Sequence, residues 1–447
     1  MKISTPEYVR NITECLENAG YEAYIVGGCV RDSLLGKKPD DHDVTTSAFP
    51  QEVKKVLSGY KVIETGIKHG TVTAVSSGKP VEITTFRCDG SYSDHRRPDS
   101  VRLTRSLAED LARRDFTINA MAYSHKTGIV DLYGGKKDLE DGIIRCVGEP
   151  ERRFDEDALR IMRAIRFSAV LDFEIEEKTR LAIHKLYPLL SYVSEERIAA
   201  ELKKLLCGKG KSVARVLTEF SDVFCHLIPE FKPAIGLDQR TKWHIYDVYT
   251  HTVKVVENSP PILAVRLAAL FHDIAKPKMM FVDENGVGHF WGHPEESAKM
   301  TREILRRLKF DNATVDRVCR LIEIHDVRPE ANKKAVRRYL AKYAGINTDE
   351  IMALRRADIA GQNPHITGRF ETLDEIERII REIESEGECL TVTNLDISGN
   401  DIISLGARGE SVGRILRKLL EDVVEERIEN SKEKLLPRAK QLWDSMK

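Results

Sequence analysis

The segment from Tyr24 to Thr46, YIVGGCVRDSLLGKKPDDHDVTT, constrains the fold more than any other part of the chain. It predicts a buried strand, a glycine pair at Gly27-Gly28, a short helix and a second strand from Asp43. Glycine lets the backbone approach a phosphate closely, and the start of a helix offers free N–H groups to anions. Arg31, one helical turn further on, adds a forked set of donors for phosphate oxygens.

Three carboxylates complete this pattern. Asp41 and Asp43 belong to an Asp-His-Asp tripeptide, and if it opens a strand, both side chains share one face. Adjacent carboxylates repel each other unless cations lie between them, and hard oxygen ligands suit Mg²⁺ on a triphosphate. Glu82, on a predicted strand over 81–86, is a third candidate ligand. Each part alone is common on protein surfaces, but their joint occurrence in this order favours a two-metal catalytic site.

Composition excludes several classes of protein. The 447 residues include 70 basic and 71 acidic ones. The chain as a whole therefore lacks the strongly positive net charge of a protein that binds nucleic acid over its entire surface. Eight scattered cysteines without a CxxC pair exclude a disulfide framework or zinc ribbon. No signal core precedes the first helix, and the longest apolar stretch, near 261–271, is too short for a bilayer. We therefore expect a cytoplasmic protein with no membrane contact, and nothing implies a protein partner.

Charge is uneven along the second half. Residues 299–342 carry 13 basic and 6 acidic side chains, whereas residues 371–389 carry 2 basic and 8 acidic ones. One interpretation is two solvated surfaces of opposite sign. The other is that the basic stretch follows a phosphate backbone.

Further segments match a known family in order. They are the turn-and-strand at 65–72, Arg113–Ala122 (RRDFTINAMA), Asp131–Gly135 (DLYGG) and Glu156–Arg160 (EDALR). With the segment from Tyr24 they resemble the bacterial class II tRNA nucleotidyltransferases, the CCA-adding enzymes of the polymerase β-like superfamily. The resemblance implies an α+β fold in which a mixed-sheet head precedes an all-helical remainder. The expected domains are a head at 1–150, a neck at 151–235, an HD-type body at 236–365 and a tRNA-binding tail at 366–447.

The resemblance also implies roles for the motif residues. Gly28 and Arg31 would bind the triphosphate, with Arg114 near the phosphates and Asp115 accepting from the ribose 2′-hydroxyl. Asp157 and Arg160 would select cytosine and adenine by hydrogen bonds to their Watson–Crick edges. Four of the expected nucleotide-binding residues recur at every third position, and we expect their side chains to form a broad polar face on one helix: Asp157, Arg160, Arg163 and Arg166.

The segment 87–115 is charged and reads as a mobile loop. In the family, a loop at this place is needed to switch from C to A addition, and enzymes that add only CC are shortened here. Its presence therefore favours A addition.

A second set of residues lies in the helical half, where His293 and His325 also occur. Its most informative piece is Phe271–Lys276 (FHDIAK), which resembles the HD phosphohydrolase superfamily. In that superfamily a His, a His-Asp pair and a later Asp bind a divalent metal, since imidazoles and carboxylates from several helices can converge on one ion. The resemblance implies a second metal site, distinct from the Mg²⁺ site, made by His251, His272, Asp273 and Asp358.

Together these features predict an enzyme that adds C, C and A to the tRNA 3′ end from CTP and ATP, with Mg²⁺ and without a template. A secondary phosphohydrolase activity would reside in the HD site. The alternatives are an A-adding enzyme of a split system, a poly(A) polymerase, an HD phosphohydrolase with a vestigial head, or a non-catalytic RNA-binding protein.

Overall fold

The computed structural model describes residues 3–39, 41–90, 95 and 100–446. The chain forms two compact units, Met1–Lys232 with Arg307–Phe310, and Pro233–Arg306 with Asp311–Lys447. The first unit spans the expected head and nearly all of the expected neck. The finer division into four domains stays a prediction.

The first unit contains a seven-stranded mixed sheet in the order β3-β4-β5-β2-β1-β8-β9. Its strands are β1 (Ala23–Val26), β2 (Asp43–Thr46), β3 (Lys61–Ile63), β4 (Thr71–Ser76), β5 (Lys79–Thr85), β8 (Met121–Ser124) and β9 (Gly128–Asp131). Strands β2 and β5 run parallel, and the other neighbours are antiparallel. Shorter strands lie outside this sheet: β6 (Arg87–Asp89), β7 (Val101–Leu103), β10 (Ile143–Ile144) and β11 (Glu174–Ile175).

Helices cover the sheet and continue beyond it. Those of the first unit are α1 (Glu7–Asn18), α2 (Gly28–Leu34), α3 (Pro50–Val56), α4 (Leu107–Ala112), α5 (Gly135–Asp141), α6 (Pro150–Glu156), α7 (Leu159–Leu171), α8 (Glu177–Leu186), α9 (Glu195–Leu206), α10 (Gly210–Glu219) and α11 (Ser221–Leu227). The expected α+β class is confirmed, because alternating apolar residues produce the strands and 3.6-residue periodicity produces the helices.

Helix α7 packs directly on the head. The rings of Phe116 and Phe167 meet edge to face at 5.7 Å, and both side chains are buried. Strands β10 and β11 pair in parallel, which joins the end of the head to the segment after α7. The residues expected to select the base are therefore held by the same core as the sheet.

The segment 87–115 differs from the expected loop. Its described ends form the antiparallel hairpin β6–β7, and helix α4 follows, begun by the Ser106 side chain accepting from the N–H of Glu109. Residues 91–94 and 96–99, which include much of the charged stretch, lie outside the described residues. Short strands also occur after residue 150, where only helices were expected.

The second unit is mainly helical. Its helices are α12 (Val248–Asn258), α13 (Leu263–Phe271), α14 (Lys276–Met279), α15 (His293–Arg307), α16 (Asn312–Ile324), α17 (Lys333–Lys342), α18 (Thr348–Ala360), α19 (Arg369–Ser385), α20 (Gly399–Ser404), α21 (Glu410–Val424) and α22 (Lys432–Asp444). A two-stranded hairpin of β12 (Phe281–Val282) and β13 (Gly288–His289) interrupts them. Along the chain as a whole, 3₁₀ segments of one or two turns occupy Ile67–His69, Thr117–Asn119, Tyr187–Tyr192, Pro229–Ala234 and Val392–Asn394.

Over helix α17, several cations of the basic stretch 299–342 form ion pairs with glutamates. Lys333 contacts the glutamates at the end of α19, at 2.6 Å from Glu386. Arg337 pairs with Glu388, and Arg338 pairs with Glu425. The fold thus brings cations of this helix against the acidic stretch 371–389 and against the end of α21, while the side chains of Lys334 and Arg338 stay 52% exposed. That the basic stretch follows a phosphate backbone stays a prediction.

In the described part of the chain, no helix is both long enough and apolar enough to cross a membrane. The eight cysteines are free thiols in the structure.

Candidate active site

The turn between β1 and α2 has a backbone that only glycine adopts easily. Gly27 has φ +78° and ψ −134°, and the helix begins at Gly28. A Cβ added to Gly27 would lie 3.0 Å from Nη1 of Arg114. Glycine at this position therefore allows the guanidinium of Arg114 to lie against the turn. The motifs predict that both the turn and Arg114 contact phosphates.

The three predicted carboxylates meet at one end of β2. Strand β2 begins at Asp43, and its parallel register with β5 pairs Val44 with Ile83. Asp43 therefore lies beside Glu82 at the start of the pair. Asp41 precedes the strand, so β2 begins two residues later than the tripeptide predicts. Asp41 and Asp43 are nevertheless both exposed on either side of buried His42, as the expected alternation requires, and Oδ1 of Asp41 accepts the N–H of His42 at 2.9 Å.

The electrostatics of this group favour a cation. The side chain of Asp43 reaches solvent, yet its pKa is raised by partial desolvation, then by the negative charges of Asp41 and Glu82. Arg114 is the nearby charge that opposes the shift. The three carboxylates thus interact unfavourably with one another, as expected for a cluster whose negative charge a divalent ion offsets.

Three predicted arginines surround one aromatic ring. The guanidinium carbons of Arg31, Arg163 and Arg166 lie 5.1, 5.5 and 3.8 Å from the ring centroid of Phe167. Arg166 also pairs with buried Glu201. The ring thus holds three cations together although they repel one another. Neither Phe167 nor Glu201 was identified from the sequence, because nothing in the local pattern marks them as site residues.

Asn119 links this group to Asp115. Its Oδ1 accepts from Nη1 of Arg31 at 2.7 Å, and its Nδ2 donates to Oδ1 of Asp115 at 3.2 Å. Asp115 also accepts two bonds from Arg163, at 2.8 and 2.5 Å. Burial opposes the charge on Asp115, but Arg163 and Asn119 lower its pKa to about 2. Sequence reasoning also missed Asn119, although its place inside the RRDFTINAMA motif could have identified it as a site residue.

Asp157 and Arg160 do not share an outer helical face. Asp157 has an extended backbone between α6 and α7, and its carboxylate accepts from Arg197 at 3.1 Å. Arg160 is buried and donates to Glu156 and to the carbonyl of Arg113, both at 3.0 Å. The expected broad polar face is therefore wrong: these side chains bind protein groups around the start of α7, and Arg197 is an unpredicted neighbour.

A second cluster lies in the helical unit. His251 comes from α12, His272 and Asp273 follow α13, and Asp358 comes from α18. The structure brings these four predicted ligands together: Nε2 of His251 lies 3.3 Å from Asp273 Oδ2 and 3.2 Å from Asp358 Oδ1. It also adds two histidines that were outside the predicted ligand set, His293 and His325.

All four imidazoles of this cluster make the same kind of hydrogen bond. Each Nδ1 donates to a backbone carbonyl: His251 to Gly361, His272 to Ala269, His293 to Phe290 and His325 to Ile322, at 3.1, 2.9, 2.8 and 2.7 Å. In a neutral ring this bond leaves the lone pair on Nε2, which is the atom that faces Asp273.

Burial and charge act strongly on the cluster. Burial, with His272 nearby, lowers the pKa of His325 to about 3, so its ring is neutral. Burial also disfavours a charge on His251, but bonds to Asp273 and Asp358 raise its pKa to about 9. The two buried carboxylates therefore favour positive charge at this point.

Comparisons with known proteins agree with this geometry. Residues 23–145 match the family described as "Poly A polymerase head domain", residues 172–235 match "Probable RNA and SrmB- binding site of polymerase A", and residues 293–439 match a tRNA nucleotidyltransferase domain 2. The CCA-adding enzyme of Lactobacillus helveticus is 36% identical over 422 residues, covering 94% of this chain and 93% of the relative. That of Pediococcus pentosaceus is 34% identical over 439 residues, covering 96% of each.

A solved structure extends the likeness to the fold. The Bacillus stearothermophilus CCA-adding enzyme, crystallised with CTP, has a TM-score of 0.72 and 29% identity, covering 99% of both chains. The family likeness predicted from the motifs is confirmed. The chain belongs to the family of CCA-adding enzymes, the tRNA nucleotidyltransferases.

Proposed function

We propose that this enzyme adds C, C and A in order to the 3′ end of tRNA, from CTP and ATP and without a nucleic-acid template. The observation that carries the proposal is the meeting of three carboxylates with the Gly27 turn and Arg114 at one end of the sheet. Full-length likeness to CCA-adding enzymes supports the same reaction.

Magnesium fits the carboxylate group. Asp41 and Asp43 would hold the ion, with Glu82 as a further carboxylate. Desolvation is the main cause that raises the pKa of Asp43, and the negative charges of the other two carboxylates raise it further, so a cation beside them is favoured. When bound, Mg²⁺ polarises the triphosphate and favours ionisation of the attacking 3′-hydroxyl. The 3′-oxygen forms a new P–O bond at the α-phosphorus as the bond from that phosphorus to the bridging oxygen of the β-phosphate breaks. Pyrophosphate leaves with the bridging oxygen, and the hydroxyl proton passes to solvent.

The arginines and glycines orient the nucleotide. Gly28 and Arg31 would bind the triphosphate, and Arg114, which lies against Gly27, would add a donor on the other side of the turn. Arg163 and Arg166, held by Phe167, would keep positive charge beside Arg31. Fixed donors accelerate phosphoryl transfer because they need no reorganisation when charge develops.

Selection would depend on the residues around the start of α7. Asp157 would accept from the exocyclic amine of cytosine or adenine, and Arg160 would donate to the neighbouring ring atom. Arg197, which contacts Asp157 at 3.1 Å, would fix that carboxylate in place. Asp115 would accept the ribose 2′-hydroxyl. The helical tail would hold tRNA by shape and phosphates. A cytoplasmic location stays a prediction of the sequence.

Product sequencing tests the proposal. Three tRNA transcripts, ending at the discriminator base, after CC and after CCA, are each given Mg²⁺ with CTP and ATP, singly and together. Ordered growth to CCA that then stops supports the proposal. Extension of the CC-ended transcript alone by A identifies an A-adding enzyme. An open-ended A ladder identifies a poly(A) polymerase, and no extension overturns a catalytic head.

A second activity is proposed on the histidine–aspartate cluster. His251, His272, Asp273 and Asp358 would bind a divalent metal and support phosphoester hydrolysis, as their likeness to the HD superfamily implies. The convergence of these four side chains within hydrogen-bonding range favours the proposal. Metal-dependent phosphate release that is lost in His272→Ala tests it, and release that persists in this variant would contradict it.

A further inference from the structure

We infer that Asp110 is a positioning residue for nucleotide addition, whose buried carboxylate holds the guanidinium of Arg114 beside the Gly27 turn for the triphosphate. The inference rests on the addition reaction proposed for the first unit, and it names a residue that lies outside the motifs of the sequence analysis. Asp110 is 0% exposed, so it acts through Arg114 and does not meet a substrate itself.

Both oxygens of Asp110 accept hydrogen bonds from a group of arginines. Oδ2 accepts from Nη2 of Arg114 at 3.3 Å. Oδ1 accepts from Nε of Arg113 at 3.1 Å and from the backbone N–H of Arg87 at 3.3 Å. One carboxylate therefore joins the two arginines that follow α4 to the first residue of β6.

Helix α4 gives this carboxylate a fixed place. Leu111, next to Asp110, is fully buried and belongs to one core cluster with Val26 and Phe86. Val26 directly precedes the Gly27 turn, and Phe86 directly precedes β6. The same core thus fixes the carboxylate, the turn and the start of the hairpin relative to one another, as a preorganised site requires.

The carboxylate and its arginines differ in exposure. The side chain of Asp110 is 1% exposed, whereas those of Arg113 and Arg114 are 18% and 19% exposed. Buried ion pairs add little net stability, because desolvation offsets their attraction, so stability alone explains this arrangement poorly. A guanidinium that is held from the interior and still reaches solvent suits an anionic ligand.

Arg114 needs such a restraint because other charges lie near it. Its Nη1 is the atom 3.0 Å from the Cβ position of Gly27, and its Nη2 is the atom bonded to Asp110. Desolvation raises the pKa of Asp43, and the positive charge of Arg114 opposes that shift, so Arg114 lies near the carboxylate group. Without Asp110, the guanidinium would be drawn toward these carboxylates and away from the position for phosphate.

Two other arginines of the site are held in the same way. The two oxygens of Asp32 accept from Arg31, each at 2.9 Å. Asp115 accepts from Arg163 at 2.8 and 2.5 Å. Asp110 gives the third arginine the same support, so each of these donors has a fixed direction before a nucleotide binds.

A double-mutant cycle tests whether Asp110 acts through Arg114. We expect Asp110→Asn to raise the KM for CTP about tenfold or more, with a smaller change in kcat, because a charge-assisted bond to the guanidinium is lost. In an Arg114→Ala background, the same substitution should change the KM by less than about twofold. An equal rise in both backgrounds, or an unchanged KM in Asp110→Asn alone, would overturn the inference.

Binding without turnover gives a second readout. In the absence of tRNA, the affinity of the full chain for CTP should fall in Asp110→Asn by about the same factor as the KM rises. The affinity for cytidine, which has no phosphate, should stay the same in an NMR titration. An equal loss of affinity for both ligands would mean that the substitution disturbs the whole site, and it would overturn the positioning role.

Glu350→Gln is the matched control. Glu350 is a buried carboxylate of the second unit that pairs with Arg317, so this change removes a similar ion pair outside the site and should leave the KM for CTP unchanged. Thermal melts identify the folded variants. If Asp110→Asn does not fold, Asp110→Glu replaces it in the cycle, since it keeps the charge and displaces the carboxylate.

The remaining outcomes separate this inference from the proposed function. Loss of the folded state in both Asp110 variants would assign the carboxylate to folding and overturn the inference. Absence of nucleotide addition by the wild type would contradict the proposed function, whereas the binding of CTP and cytidine would still decide the role of Asp110.

Discussion

The two proposed metal sites on this chain differ in their side chains and in their burial. In the first unit, Asp41 precedes β2, Asp43 begins it and Glu82 lies in the middle of β5, and Asp43 and Glu82 reach solvent. In the second unit, His251 and Asp273 are 0% and 1% exposed. Mg²⁺ is held by few carboxylates together with substrate phosphates, whereas imidazole sets hold transition ions on their own. The comparison teaches that, under the proposed functions, the nucleotide would complete the first metal site and the protein alone would form the second.

The substitution with the largest expected effect removes a carboxylate from the first site. Asp43→Asn should reduce nucleotide addition by about a thousandfold or more, because several kcal/mol of charge stabilisation is lost. Steady-state rates with CTP on a tRNA transcript measure the effect. Glu64→Gln is the control, since this exposed carboxylate pairs with Lys54 in the same unit and should leave the rate unchanged. A fall of less than tenfold in Asp43→Asn would place the metal elsewhere.

The substitution with the next largest expected effect tests whether the ring of Phe167 positions the arginines of the first site. Phe167→Ala should lower the free energy of unfolding by about 3–5 kcal/mol, because a buried aromatic side chain is removed. It should also raise the KM for CTP, since Arg31, Arg163 and Arg166 lose their common contact. Phe167→Leu keeps most of the volume without the ring. If Phe167→Leu has the KM for CTP and the stability of the wild type, the cation–π contacts with this ring do not contribute to CTP binding.

A third effect concerns acid stability. The folded pKa of Asp115 is about 2, below its ordinary value near 3.8, so its ionised form stabilises the fold. That stabilisation is complete above about pH 4 and is lost as pH falls toward 2; it amounts to about 2 kcal/mol. Denaturant unfolding of wild type and Asp115→Asn should therefore differ most at neutral pH. A difference that stays constant down to pH 2 would mean that Asp115 is not stabilised by Arg163.

The smallest effect compares two glycines. Gly27→Ala should cost about 1–3 kcal/mol of stability and also slow nucleotide addition, because the new Cβ lies 3.0 Å from Arg114. Gly36 also has a positive φ, of +72°, but nothing lies within 4 Å of its Cβ position. Gly36→Ala should cost about 1 kcal/mol and leave the rate unchanged. Thermal melts and rates measured together check both; equal rates in the two variants would remove the role of the Gly27 turn.

Local patterns predicted much of the fold and of the first site. The strand, the glycine turn and the helix over 24–34 follow from neighbouring residues, and so do the positions of Asp43 and Glu82. The errors concern partners that are distant in sequence. Arg160 is buried against the carbonyl of Arg113, and Arg337 pairs with Glu388. Helical spacing gives the side on which a residue lies, but it does not reveal which distant side chain covers that side.

The second site shows the same limit more clearly. The adjacent His272 and Asp273 are visible as a motif, whereas His293 and His325 are two histidines among 13 in the chain. Their membership depends on where α15 begins and α16 ends. Only the packed helices show that both rings turn their Nε2 atoms toward Asp273.

The central claim is that CCA addition depends on the first site and not on the second. Sequencing the 3′ ends of one tRNA transcript after reaction with Asp43→Asn, and with His293→Ala and His325→Ala together, tests it most directly. We predict that Asp43→Asn leaves the end unextended, while the histidine double variant completes CCA at the wild-type rate. Extension by Asp43→Asn, or failure of the folded double variant, would contradict the claim.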